Sequence, residues 1–274
     1  MPIANLPEPN FIERDANRVT AELVALYEQL SGKTLYPAQA DRIMLDVIAY
    51  REMLIRTQIQ EAGKQNLLAF ANGVMLDYLG DFFGVVRLEN EIDEQLRQRI
   101  RLAPESYATT GSRQAYIYHT LSTDSQIIDA DALRGENGNI YIHILTADGI
   151  VTDDLIQRVL ANTSDEKKRP LSDRVHVAGG QPFNFELAIN VYPLTIADPN
   201  QILATAQTKA TAYINELKTK LGLDIVPSQI IDRLSGDGVW QIEVISPNQP
   251  MILQPYQWAK CTKLNVSLGG GQNG

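Results

Sequence analysis

Cysteine is almost missing from this 274-residue chain: Cys261 is the only one. An internal disulfide is excluded, and so is a zinc site built on cysteines. Histidine is scarce too, at three residues. His119, His143 and His176 lie far apart and share no ligand spacing. No apolar run reaches the roughly 18 residues that a membrane helix needs. The opening "MPIANLPEPNF" has neither a basic start nor an apolar centre, so it does not read as a secretory signal. Cations are also in deficit. The formal net charge is −9, and it is spread along both halves of the chain. The one tight basic cluster, Lys167, Lys168 and Arg169, sits beside Asp165 and Glu166. Nucleic-acid binding by counterion release needs clustered cations, so nucleic acid is a poor partner and membrane insertion is not expected.

What is present is a hydrophobic share of 44% with 21% charged residues, the balance of a folded, globular chain. Its length exceeds the usual domain of roughly 100–150 residues, so more than one compact piece is expected. The first third is helical. In "FIERDANRVTAELVALYEQLSGK", Val19, Leu23, Leu26 and Leu30 recur at helical steps, and Gly32 suits the left-handed position after a helix. After Pro37, Ile43, Val47, Tyr50 and Leu54 form one stripe, which Met44, Ile48 and Ile55 widen. That surface is broader than a surface helix needs. It predicts either a helix buried in its own domain or one that also meets another chain.

Shorter helices follow, punctuated by Gly73, Gly80 and Gly84, with an apolar patch at "LDYLGDFFG". Glu89, Glu91, Asp93 and Glu94 then open a helix that Arg97, Arg99 and Arg101 close, an order that complements the helix dipole. These charges read as a solvated face. Pro104 is expected to stop the run, because it disfavours helix at Ala103.

From Gly111 the period changes. "GSRQAYIYHTLS" predicts a helix; "SQIIDADAL" and "NIYIHIL" predict strands joined through the hairpin signal Asn137-Gly138. "TDDLIQRVLAN" predicts a helix capped by Thr152, and "RPLSDRVHV" leads into a further strand. In "FNFELAINVYPL" the odd positions Phe183 to Val191 are apolar and the even ones polar, the pattern of a strand with one buried face. A long helix through Ile202, Ala206, Ala210, Tyr213, Leu217 and Leu221, ended by Gly222, precedes a short helix "PSQIIDRLSG" and the strands "GVWQIEVI" and "CTKLNVSL". The fold class is therefore α+β: a helical N-terminal region (1–104), one small α+β unit (111–180), a second (181–268) and a glycine-rich end (269–274). Each unit contains a helix feeding two successive strands, which raises a distant structural repeat.

Chemistry-bearing patterns are few. There is no phosphate loop, no H-E-x-x-H and no G-x-S-x-G turn. Ser106, His119 and Asp124 can be written as a triad, but nothing in their spacing supports one. Asp77 and Asp81 share a helix face as candidate cation ligands, and Asp153 and Asp154 suit a helix N-terminus. Cys261 falls in a strand. No catalytic, cofactor or metal residue is assigned.

Several stretches carry a resemblance. "ANGVMLDYLGDFFGVVRLE", the run Leu102-Ala103-Pro104-Glu105-Ser106-Tyr107 with Gly111 and the Ala115/Tyr118/His119 pattern after it, and Arg169-Pro170-Leu171-Ser172-Asp173 resemble the baseplate J-like family of contractile phage tails. The match covers roughly residues 65–180. It implies a structural baseplate wedge component of a virion tail, assembled in the bacterial host cytoplasm, with no catalytic residues. Its implied partners are other wedge proteins and copies of itself, with contacts to the central hub or spike. On that reading "APESY" joins the helical and ring-forming regions. Two other readings stand beside it: a soluble enzyme whose site assembles from distant residues, and a self-contained adaptor.

Overall fold

A computed structural model describes residues 6–107 and 111–270. The chain divides into two compact units, residues 1–87 and 88–274.

In the first unit, α1 (Ala16–Ser31) starts at Asp15, whose carboxylate accepts from the amides of Asn17 and Arg18. It ends at Gly32, which is left-handed at φ 69° and donates to the Glu28 carbonyl. The longer α2 (Ala40–Gln65) packs along it, with Val19 and Ala49 buried. Gln60 is fully buried. Its Nε2 donates to the Pro9 carbonyl at 2.5 Å and its Oε1 accepts from the Phe11 amide at 2.9 Å. That amide side chain ties the entering segment onto α2, and Phe11 lies where any side chain at Gly63 would go. α3 (Gly73–Phe82) buries Leu76 and Gly80. The rest of the apolar patch there is outward, with Tyr78, Phe82 and Val86 exposed.

The second unit begins with α4 (Asp93–Leu102), which packs against α5 (Arg113–Leu121). The sequence grouped α4 with the helical region; its contacts place it with the sheets. Two local expectations are corrected here. The α-helix does end just before Pro104, at Leu102, but Ala103 is not driven out of the helical region: it sits at φ −54°, ψ −40°, and the chain tightens into a short 3₁₀ turn over Ala103–Ser106. Proline at the start of a turn lacks only an amide that would be unpaired anyway, so the turn tolerates it. Nor are the charges all solvated. Glu91 and Arg99 form a buried pair at 2.7 Å, with side chains 1% and 6% exposed, and Arg99 also donates to Ser122. Residues 108–110, between the predicted joint "APESY" and Gly111, lie outside the described residues.

Ser112 caps α5 by accepting from the Ala115 amide, as Thr152 caps α6 (Asp153–Thr163) through Leu155. β1 (Ile127–Arg134) and β2 (Asn139–Thr146) pair antiparallel, and β3 (Arg174–Gly179) joins β2 in parallel. The Asn137-Gly138 turn is left-handed at both residues, as the hairpin signal requires. Ile140, Ile142 and Ile144 face a core closed by Tyr116, Leu121, Leu155 and Val159.

β4 (Gln181–Pro193) lies between β5 (Val239–Ser246), antiparallel, and β6 (Gln257–Leu268), parallel. Phe185, Leu187, Ile189 and Val191 fill a second core under α7 (Pro199–Leu217) and α8 (Pro227–Leu234). α7 stops at Leu217, short of the predicted Gly222. Gly222, at φ 65°, instead turns the chain so that its amide donates to Gln257 at 2.7 Å. The idea of a repeat fails on topology. β1 and β2 are neighbours, whereas β5 and β6 are held apart by β4.

The buried face of β4 sets a test. Ile189 is 1% exposed, so Ile189→Asp places an unpaired charge in the core and should cost about 3–5 kcal/mol of stability. Asn190 is not a suitable neutral control, because it bonds Glu243 and Ser267. Asn184, exposed on the same strand, is. Asn184→Asp should change stability by about 0.5 kcal/mol or less in chemical denaturation.

Candidate assembly surfaces

Each residue that could have formed a triad is engaged with another partner. The Ser106 hydroxyl donates to the Ala103 carbonyl at 2.7 Å, closing the 3₁₀ turn. Asp124 pairs with Arg158. The His119 ring sits edge-on to Tyr118, and burial, helped by Lys168, pushes its pKa down to about 4. It is therefore a neutral packing group at pH 7. Asp77 pairs with Arg87 at 2.7 Å instead of acting with Asp81. Asp153 and Asp154 occupy the first turn of α6, where Asp154 meets Arg158. Cys261 donates weakly to the Lys263 carbonyl, and burial pushes its thiol up. His176 stacks on Tyr141 and meets Asn139 at 3.0 Å. Among the described residues no group of three or more His, Cys, Asp or Glu side chains could hold a metal ion.

The basic cluster is structural in two of its three members. Lys168 meets Asn162, and Arg169 donates to the carbonyls of Ser164, Pro170 and Asp173. Arg169 thereby folds the "RPLSD" loop on itself. That loop is where two distant stretches of sequence meet. Tyr116 donates to Asp173 at 2.8 Å. Gly111, at φ 67°, leaves no room for a side chain, which would meet Pro170 at 2.7 Å and Asp173 at 2.9 Å. Gly138 is likewise closed off by the Ser172 carbonyl. Spacing along the chain gives no hint of this clamp, because 57 residues separate Tyr116 from Asp173.

A second joint links the two sheets. The Leu221 amide donates to the Asp129 carboxylate at 2.8 Å. Leu221 bridges to Trp258, whose ring lies against Gly149 and Gly180, and His143 packs on Tyr256. Burial raises the Asp129 pKa to about 6, against the lowering effects of the Leu221 amide and Lys220.

An extended apolar surface is exposed on α2. Ile43, Met44, Val47, Ile48, Tyr50, Leu54, Ile55 and Ile59 are each between 39% and 64% exposed. Geometry explains this. The 26 residues of α2 span about 39 Å, and the 16 of α1 only about 24 Å. α1 is also not apolar where it would help, since Leu26 and Leu30 point outward. Of the two sequence alternatives for this helix, the one with its face covered inside its own unit does not hold. Ile43, Val47, Tyr50 and Leu54 alternate steps of four and three, the spacing of a seam that packs against another helix.

A helical unit with uncovered apolar surface, followed by two sheet layers with structural bonds where a site might have been, is the make-up of an assembly protein. Three domain models cover most of the chain: the Baseplate J-like N-terminal domain matches residues 42–91, the Baseplate J-like central domain 108–179, and the Baseplate J-like protein C-terminal domain 185–267. The chain belongs to the Baseplate J-like family. It is also 29% identical to baseplate protein J of Escherichia phage P2, over 98% of this chain and 99% of that protein. No helix among the described residues is long and apolar enough to cross a membrane.

The Asp129 joint predicts a pH dependence. Its folded pKa, about 6, lies above the ordinary value of 3.8. The folded state therefore binds the proton more tightly. That contribution is fully present below the unfolded pKa and is lost as pH rises through about 6. Asp129→Asn should raise stability by about 1–2 kcal/mol at pH 8 and leave it nearly unchanged at about pH 3, below the unfolded pKa. Comparing the two chains at each pH cancels the opposite effect of His119, which destabilises the fold on acidification.

Proposed function

We propose that this chain is a structural component of the baseplate wedge of a contractile phage tail or of a phage-derived tail-like particle. On this reading the α1–α2 unit docks a second wedge protein or a second copy, and the α+β layers link wedges into a ring around the central hub. The observation that carries it is the apolar face of α2. Left in water, that face is an exposed apolar surface of the kind that marks an interface. A lasting interface that covers it would bury on the order of 2,000 Å². Membership of the Baseplate J-like family and the similarity to the P2 baseplate protein support the baseplate setting.

The other two readings are weighed by the same surfaces. A self-contained adaptor would be expected to cover its apolar faces, and α2 does not. An enzyme would gather its perturbed groups around a cleft. Here His119 and Asp129 are perturbed by packing, one under Tyr118 and one in the joint between the sheets.

The test is co-expression with the adjacent wedge protein, comparing the full chain with a chain beginning at Leu88, where the second compact unit starts. The full chain should co-purify with its partner and the shortened one should not, while retaining its sheet signature in circular dichroism. Equal capture by both would sink the assignment of docking to α1–α2. Failure of the full chain to appear in sedimented tails would sink the baseplate reading as a whole.

A further inference from the structure

The two sheet layers of the second unit have separate cores. Tyr116, Ile142 and Val159 belong to one, and Leu187, Tyr213 and Ile242 to the other. Trp258 is 8% exposed, yet it belongs to neither core, and nor does its bridge partner Leu221. A side chain at Gly149 would meet the Trp258 ring at 2.6 Å, and one at Gly180 would meet it at 3.3 Å. A tryptophan of the second layer is thus seated on a glycine turn of the first, beside the point where the chain crosses.

The chain passes between the layers once. β3 ends at Gly179 and β4 begins at Gln181, so Gly180 by itself separates them. Glycine has the widest choice of backbone torsions, and a single crossing leaves no second strand to hold the angle.

The contacts at this joint are less well satisfied than those inside the cores. The Asp129 carboxylate holds the Leu221 amide while partly withdrawn from water. Trp258 Nε1 and His143 Nδ1 are buried with no hydrogen-bond partner among the described residues. The His143 ring packs on Tyr256, again between the layers. A buried polar atom without a partner costs stability, and these groups regain water when the layers part. Each core, in contrast, is closed by apolar side chains from several elements. Parting the layers therefore disturbs far less apolar packing than unfolding either of them, and local opening takes the least costly route.

We propose that this joint is a hinge: the second sheet layer swings on Gly179–Gly180 against the first, with both cores intact, as Trp258 leaves its seat and the Leu221 amide leaves Asp129. Hinges place the torsion change in a few residues at element ends, as here between β3 and β4. The inference goes beyond the wedge reading and does not depend on it. It gives whatever is attached to the second layer freedom to turn against the rest of the chain.

The test uses the full chain and two readouts. In hydrogen exchange, the Leu221 amide and the Trp258 indole N–H should open together, about a hundredfold more often than the amides of Ile142 and Ile189 in the two cores. For the second readout, spin labels go on Leu171→Cys and Ile196→Cys, 87% and 95% exposed and one on each layer, with Cys261→Ser removing the native thiol. Pulsed electron resonance should then show a second interlayer distance. Gly149→Ala sets a methyl against the Trp258 ring, and Leu221→Ala removes packing without touching that turn. Each should speed exchange of Leu221 and Trp258 about tenfold and enlarge the second distance population, while Ile142 and Ile189 stay as protected as before. Protection of Trp258 equal to that of Ile189 overturns the hinge. So does one fixed interlayer distance in the wild type and both variants, because faster exchange at a fixed distance is the fraying of a loop.

Discussion

The length difference between α1 and α2 leaves an apolar face that the pair cannot cover. A helix of about 39 Å with apolar residues around much of its circumference cannot be covered by a neighbour of about 24 Å. Burying a large aliphatic side chain contributes about 1.5–3 kcal/mol. Leaving Ile43, Val47, Leu54 and Ile55 in water therefore forgoes several such contributions. The first unit compensates with polar ties. Gln60 pins the segment carrying Pro9 and Phe11, and Tyr27 donates to Asp41 at 2.6 Å across the helix pair. The pair is held in shape without its main apolar face, and that face stays exposed.

The sheet-bearing unit follows the opposite economy of means. Its two cores are closed, and the places that look chemical in sequence are the places where elements are locked. The Arg169–Asp173 loop holds its own backbone through guanidinium bonds, then receives Tyr116 and the closely packed Gly111. Asp129 holds the Leu221 amide, but at neutral pH it does so as a charge taken partly out of water. That joint is thus weaker at pH 8 than a neutral acceptor would make it, whereas the Tyr116–Asp173 clamp carries no such penalty for Tyr116, whose burial and bond to Asp173 both favour the neutral phenol. The two joints differ in how readily each could yield.

Much of the fold could be read directly. The 2.0 period of Phe183–Val191 and the helical steps of α1, α2, α5, α6 and α7 each have one physical solution, because gathering the apolar residues on one face and leaving the other to water demands that period. Caps at Thr152 and Gly32 and the Asn137-Gly138 turn are local chemistry, complete within a few residues. What could not be read was anything that depends on a distant neighbour. Ala103 stays helical because the turn after it is 3₁₀ and the carbonyl of Ala103 is taken by Ser106. Glu91 and Arg99 leave the solvated face because Ser122 and each other satisfy them. Gly222 shapes a turn beside Gln257 and leaves α7 to end without it. The apparent repeat dissolves because β4 separates β5 from β6.

The sequence by itself determined which segments are helix or strand, which side of each is apolar, and that no metal or nucleophile pattern is encoded locally. It also showed that α2 carries more apolar surface than an ordinary surface helix. Only the tertiary structure decided that this surface is uncovered, that "RPLSD" and the residues after Gly111 form one clamp, and that β4 lies between β5 and β6. Periodicity is a property of neighbours three or four residues apart, and the chain states it openly. Coverage, pairing and exposure depend on which elements are long enough to reach each other, and that is known only when the chain is folded.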